Sequence, residues 1–197
     1  MTMSRITPWV IAIDGLDGTG KSTAVRLLSE ALNAPAMSSP PASRLGECSV
    51  ADTLPEAERR AWYMRANSMA MAEARALAGR EIVVMDRSIA STLAFGVAER
   101  GRVASSADVP FGADLPEFRF LLRLQESERV QRIWNRGEGR TREERRLEAD
   151  HDFRARVLAG FANICTHEMD ASATPDAICE RMAGIVSATL RSKPRTG

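Results

Sequence analysis

Trp9-Val10-Ile11-Ala12-Ile13 is an unbroken apolar run that stops at Asp14-Gly15, the pattern of a short strand covered on both faces in a parallel sheet. From Lys21 onward Ala24, Leu27, Leu28, Ala31 and Leu32 recur at helical spacing until Asn33 and Pro35 end the pattern. A Ser/Pro-rich loop from Ser38 to Ser43 then precedes a long helical stretch, roughly Pro55 to Leu77. Glu81 to Met85 is a second buried-strand pattern ending at Asp86, and Phe118 to Leu124 is a third, reached through a Gly/Ser/Asp-rich segment. An arginine-dense region from Arg129 to Arg146 leads into a helix through Phe153, Val157 and Phe161. A brief strand near Met169 follows, then a helix capped by Thr174 with Pro175 in its first turn.

Strands alternating with helices predict an α/β fold with a parallel sheet, whose ligands gather at the carboxyl ends of the strands. The acidic strand ends Asp14 and Asp86 therefore point into one site. A chain of 197 residues with 44% hydrophobic content supports one domain rather than two. Lys plus Arg number 27 against 26 Asp plus Glu, so no overall field favours a nucleic-acid polymer or a membrane surface. Cys48, Cys165 and Cys179 are far apart and odd in number, and with only His151 and His167 beside them neither a disulfide framework nor a zinc site is expected. The stretch Met1 to Pro8 lacks the pattern of a secretory leader, and the expectation is cytoplasmic residence.

The chemistry lies in Gly15-Leu16-Asp17-Gly18-Thr19-Gly20-Lys21-Ser22, which satisfies G-x-x-x-x-G-K-[ST] between a strand and a helix. Glycines let the backbone curl so that successive N–H groups form an anion nest at a helix N-terminus. Lys21 supplies a cation for the β- and γ-phosphates of ATP, and Ser22 a hydroxyl for Mg²⁺. Gly15, Asp17, Gly18, Thr19, Gly20, Lys21, Ser22 and Thr23 are the candidate donor-binding residues. No N-K-x-D-like segment for guanine occurs.

Asp86 stands where a carboxylate can hold the metal with Ser22, and Arg87 follows it as a planar fork for an acceptor phosphate. Arg132, Arg136, Arg140, Arg142, Arg145 and Arg146 crowd a segment broken by Gly137 and Gly139, as a closing lid over a transferring phosphoryl group requires. Glu138, Glu143, Glu144 and Glu148 can instead pair many of them along a solvated helix face. Arg136 and Arg140 are the catalytic candidates within this lid of about residues 132–148. Trp62, Tyr63, Met64, Met69 and Met71 read as core of the long helix, with Met64 and Ser68 one turn apart as candidates to line an acceptor pocket.

In this order the loop, the Asp-Arg element and the arginine region resemble the thymidylate kinase branch of the nucleoside monophosphate kinases, from about Trp9 to Leu190. The resemblance implies a P-loop NTPase fold with a five-stranded parallel sheet flanked by helices, ATP as donor, Mg²⁺, and homodimers as common. It places Asp17 on the acceptor sugar and Arg87 on the acceptor phosphate. Asp86 to Phe95 matches the family's Asp-Arg-Tyr-x-x-Ser-x-x-Ala-Tyr/Phe segment, which adds Ser91, Thr92 and Phe95 to the acceptor side. Ser172, in Met169-Asp170-Ala171-Ser172, falls near the adenine. The Phe and Arg that hold the thymine ring in the family fall at Met64 and Ser68, the tyrosine after Asp-Arg is Ser88, and Arg44 is an unaligned substitute in the acceptor loop.

The expected activity is phosphoryl transfer from ATP to a nucleoside monophosphate, a thymidylate-like deoxynucleotide. One alternative is a kinase for a nucleoside or another small hydroxyl compound, because Asp-Arg-Ser also resembles the Glu-Arg-Ser element of deoxynucleoside kinases. Asp17 or Asp14 then serves as base. A nucleotide-binding switch protein is the alternative outside the enzymes.

Overall fold

The computed structural model describes residues 8–77, 82–137 and 142–192. In chain order they form β1 (Trp9–Gly15), α1 (Lys21–Ala31), β2 (Ala36–Ser38), α2 (Cys48–Ala51), α3 (Glu56–Arg75), β3 (Ile82–Asp86) and α4 (Ile89–Ala98). These are followed by β4 (Phe118–Arg123), α5 (Glu126–Asn135), α6 (Arg142–Ala149), α7 (His151–Ile164), β5 (His167–Asp170) and α8 (Pro175–Ser192). No helix among the described residues is long and apolar enough to cross a membrane.

The five strands are all parallel, in the order β2-β3-β1-β4-β5. Alternation of side chains divides β1 between two cores. Ile11 and Ile13 join Phe118, Phe120 and Leu122 under α1 and α8. Val10 and Ala12 meet Val83, Met85 and the small residues Ala70 and Ala74 of α3 on the opposite face. There Leu121 packs with α4 and α7 through Ala90, Leu93, Phe153 and Phe161. Gly160 lets α7 approach closely, since a Cβ would sit 3.1 Å from the Ala104 Cβ and 3.3 Å from the Ala94 Cα.

The strand that the apolar pattern does not announce is β2. It is short, its Ser38 lies in the predicted loop, and it exists through pairing of Ala36, Met37 and Ser38 with Val84, Met85 and Asp86. The Ser39 N–H continues that edge onto the Asp86 carbonyl oxygen at 2.9 Å, and the Ser39–Pro40 peptide bond is cis. All five carboxyl ends open on one side. The chain turns to α1 from β1 and to α4 from β3 there, on either side of the crevice where the strand order reverses.

Candidate active site

Three glycines shape the loop after β1. Gly15, Gly18 and Gly20 have φ of 144°, 86° and 90°, in the region that side chains disfavour. Gly20 is the N-cap of α1 and offers no side chain to the first turn, so the N–H groups there keep no capping partner from it. That leaves a helix N-terminus open to an anion, with Ser22 and Thr23 exposed at its mouth. Thr19 is buried and donates its hydroxyl to the Leu16 carbonyl oxygen at 2.8 Å, closing the loop on itself.

A Cβ on Gly18 would lie 2.9 Å from both the Arg129 carbonyl oxygen and the Ile133 Cγ1 of α5. Gly18→Ala therefore combines backbone strain with a clash against backbone. It is expected to cost about 2 kcal/mol and to loosen the loop against α5, measurable as a lowered denaturation midpoint; an unchanged midpoint would show that the loop shifts freely.

Lys21 is 7% exposed and donates to the Leu16 carbonyl oxygen at 2.9 Å and to Asp17 Oδ1 at 3.2 Å. Burial and the neighbouring Arg87 charge hold its ammonium down at about 8, against the pull of Asp17 and Asp86. Burial raises Asp17, but Arg87 and Lys21 outweigh it and bring its carboxyl to about 2. Below about 8 the folded protein bears the full cost of a buried charged Lys21, and that cost fades as pH rises toward the ordinary lysine value. An anionic ligand on Lys21 reverses the shift. ATP binding near pH 9 is then expected to take up protons and to weaken as pH rises; calorimetry in two buffers of different ionisation enthalpy reads the uptake, and none would remove Lys21 from the phosphates.

Asp86, at the end of β3, accepts the Ser22 hydroxyl at 2.9 Å. Arg87 follows at φ 70°, an uncommon conformation for a side-chain-bearing residue, held by its N–H on the Ile13 carbonyl oxygen at 3.0 Å. The guanidinium is thereby turned back to Asp17, with which it forms an ion pair, and to the Ser91 hydroxyl at 3.3 Å. Asp14 is fully buried and anchors the start of α4: it accepts the Ser88 N–H at 3.1 Å and the hydroxyls of Ser88 and Ser91 at 2.6 and 2.7 Å. With its oxygens so engaged, Asp14 anchors the start of α4.

Beside Arg87 lies a cavity of about 430 Å³ between α3, α4 and the turn after β2. Arg87, Ser91, Thr92 and Phe95, all expected on the acceptor side, are among the residues that line it. On α3, however, the lining residues are Arg59, Arg60, Tyr63 and Asn67, the last two each one position before Met64 and Ser68. Met64 packs against the core under α4 and α7, and Ser68 is exposed with its hydroxyl on the Met64 carbonyl oxygen at 3.2 Å. Asn67 is buried, accepts from the Ser39 hydroxyl and donates to Thr92 Oγ1 at 2.7 Å, tying the three sides of the cavity together. Arg44 also stands apart from the lining. Its guanidinium is stacked 5.3 Å from the centre of the Trp62 ring and paired with Glu47, while its neighbour Leu45 reaches the cavity.

The arginine region is two helices, α5 and α6. Arg136 caps the end of α5, where Gly137 at φ 72° turns the chain, and its guanidinium meets the buried Glu144 of α6 at 2.7 Å. Its charge also acts on Asp17. Arg140 lies outside the described residues. Arg132 donates to the Ala171 carbonyl oxygen at 3.1 Å and comes within 4.0 Å of where a Gly20 Cβ would stand, so it borders the same end of the loop as Ser172. Ser172 is exposed, with its N–H on Asp170 at 2.9 Å. Sequence reasoning passed over Arg129, which is 1% exposed, held in a two-pronged pair by Glu126 and donating to the Asp17 carbonyl oxygen at 2.9 Å. The signal for it was the i,i+3 spacing of Glu126 and Arg129 at a helix start.

The thymidylate kinase family model matches residues 13–181, from the end of β1 into α8. The chain belongs to the thymidylate kinase family. It is 30% identical to human mitochondrial UMP-CMP kinase 2 over 190 residues, covering 90% of this chain but 42% of the human protein. The chain thus spans less than half the length of that relative. Thymidylate kinase of Solidesulfovibrio magneticus is 28% identical over 207 aligned positions, covering 91% of this chain and 99% of that one. Among solved structures, a thymidylate kinase from Candida albicans superposes with a TM-score of 0.72 at 20% identity, over 93% of this chain and 92% of that one. A deoxyadenosine kinase from M. mycoides follows with 0.64 at 18% identity, over 91% and 99%. These two likenesses show a shared fold.

Proposed function

We propose that this thymidylate kinase family member transfers the terminal phosphoryl group of ATP to a pyrimidine nucleoside monophosphate. The observation that carries the reading is Asp17, whose single carboxylate contacts both Lys21 in the donor loop and Arg87 at the head of the cavity. Donor and acceptor sites therefore share one boundary, where the transferred group must pass. In this reading the loop glycines, Thr19, the first turn of α1 and Lys21 bind the donor phosphates. Arg87 fixes the acceptor phosphate and Asp17 orients the sugar, while Arg136 and Arg140 close over the transferring group. Ser172 borders the adenine beside Arg132.

Ser22 and Asp86 fit a magnesium ion. One hydroxyl and one carboxylate form the sparse oxygen set that Mg²⁺ completes with water and phosphate oxygens. When bound, Mg²⁺ neutralises phosphate charge. The pyrimidine preference is supported by the named activities of the human and Solidesulfovibrio relatives.

The nucleoside-kinase alternative keeps the same donor loop but requires a carboxylate free to take a proton. Asp14 is engaged by three donors, and Asp17 is paired with two cations. A panel of nucleosides and their 5′-monophosphates, with ADP release and product mass followed, separates the two. Transfer confined to compounds carrying a 5′-phosphate is expected, and transfer to nucleosides alone would reject the reading.

A further inference from the structure

A line of charged side chains outside the cavity connects the donor loop to α6. Arg129 of α5 donates through Nη1 to the Asp17 carbonyl oxygen at 2.9 Å, and through Nε and Nη2 to the two carboxylate oxygens of Glu126, each at 2.8 Å. Glu126 Oε1 is also met by Arg154 Nη1 of α7 at 3.3 Å, and that same nitrogen donates to the Leu147 carbonyl oxygen of α6 at 2.7 Å. The contacts thus run without a break from the backbone of the donor loop, through α5 and α7, to the last turn of α6. There a cation suits both the end carbonyls and the helix dipole.

Both ends of the line bear on the site. At one end Asp17, whose carbonyl is held, carries the carboxylate that contacts Lys21 and Arg87. At the other, Leu147 lies one turn from Glu144 on the buried face of α6, and Glu144 holds the Arg136 guanidinium at 2.7 Å. The charge of Arg136 in turn acts on Asp17. Arg136 therefore stands between two groups that the line ties to one another. An ion pair as deep as that of Arg129, which is 1% exposed, returns little net stability against its desolvation, so fixed geometry is the larger contribution it can make.

We propose that Arg154 is a positioning residue for phosphoryl transfer. Through Glu126 and Arg129 it fixes α6 against the donor loop, so that Glu144 presents Arg136 to the boundary marked by Asp17. Arg154 does not line the cavity, and its effect runs through the residues it holds. The inference rests on the proposed transfer and on Arg136 acting in it.

The test uses Arg154, 15% exposed, because removing Glu126 or Arg129 would strand a buried charge and endanger the fold. Arg154→Met keeps an apolar stem and loses both contacts, whereas Arg154→Lys can keep them, since one nitrogen makes both. Steady-state kinetics with ATP and the best monophosphate acceptor are measured beside thermal denaturation. Arg154→Met is expected to lower kcat by about ten- to a hundredfold with both KM values little changed, and Arg154→Lys to restore most of the loss. In an Arg136→Ala background the Met substitution is expected to cost little more, because both changes act through the same guanidinium. A lowered melting temperature with wild-type kcat in folded Arg154→Met would overturn the positioning role alone, as would losses that multiply independently in the double variant. Wild-type kcat in Arg136→Ala would remove the lid arginine and this inference with it. A wild type that transfers to no monophosphate would reject the proposed function itself, and the inference with it.

Discussion

Lys21→Ala is expected to lower turnover by about a hundred- to a thousandfold while leaving the melting temperature unchanged or slightly raised. The two halves of that result have one cause. Lys21 is buried, and desolvation together with the adjacent Arg87 already disfavours its charge in the folded protein. Removing it relieves a cost to the fold, and Asp17 keeps Arg87 as a partner. What is lost, on the proposed reading, is a preorganised cation for phosphates whose charge redistributes as the bond breaks. Steady-state turnover measured beside thermal denaturation distinguishes this from unfolding, which would lower both. Near-normal turnover in a folded variant would remove Lys21 from the donor site.

The second large effect is at Arg87, where function and backbone comfort oppose one another. Arg87→Ala and Arg87→Gly are both expected to reduce kcat/KM for the monophosphate acceptor by about a hundredfold, the scale of losing two charge-assisted hydrogen bonds. The loss should appear chiefly in the acceptor KM, leaving the KM for ATP near its wild-type value. The variants should differ in stability. At φ 70° a Cβ is strained, so glycine is expected to be more stable than alanine by about 1 kcal/mol. Acceptor kinetics and urea denaturation on the two proteins test both claims. Equal stability would show that the turn relaxes without Arg87, and unchanged acceptor kinetics would show that its guanidinium does not hold the phosphate.

The parts of this site that were legible in the sequence are those whose physics is local. The curl of the loop needs glycine at Gly15, Gly18 and Gly20, and each takes the positive φ that the motif implies. The apolar runs before Asp14 and Asp86 became parallel neighbours with Ile13 paired to Asp86, so two acidic ends met at one crevice. Thr174 and Pro175 marked the start of α8. Across a longer reach the sequence failed in characteristic ways. In α3, alanine, methionine and tryptophan are spread around the helix, so no single apolar stripe fixed its rotation. One residue is about 100° on a helix, which is why Met64 and Ser68 were anticipated where Tyr63 and Asn67 stand.

The sequence by itself determined that a phosphate-binding loop joins a buried strand to a helix, because strand, turn and helix start are decided by neighbours a few residues apart. It also determined that an Asp-Arg pair ends a second strand. Only the tertiary structure decided which side chains share the cavity beside Arg87, that β2 exists at all, and that Arg129 links the loop to α5. It likewise decided that Arg59 is committed to Glu99. Each of these depends on partners far along the chain, and the free energy that selects them is a property of the packed surfaces rather than of any local pattern.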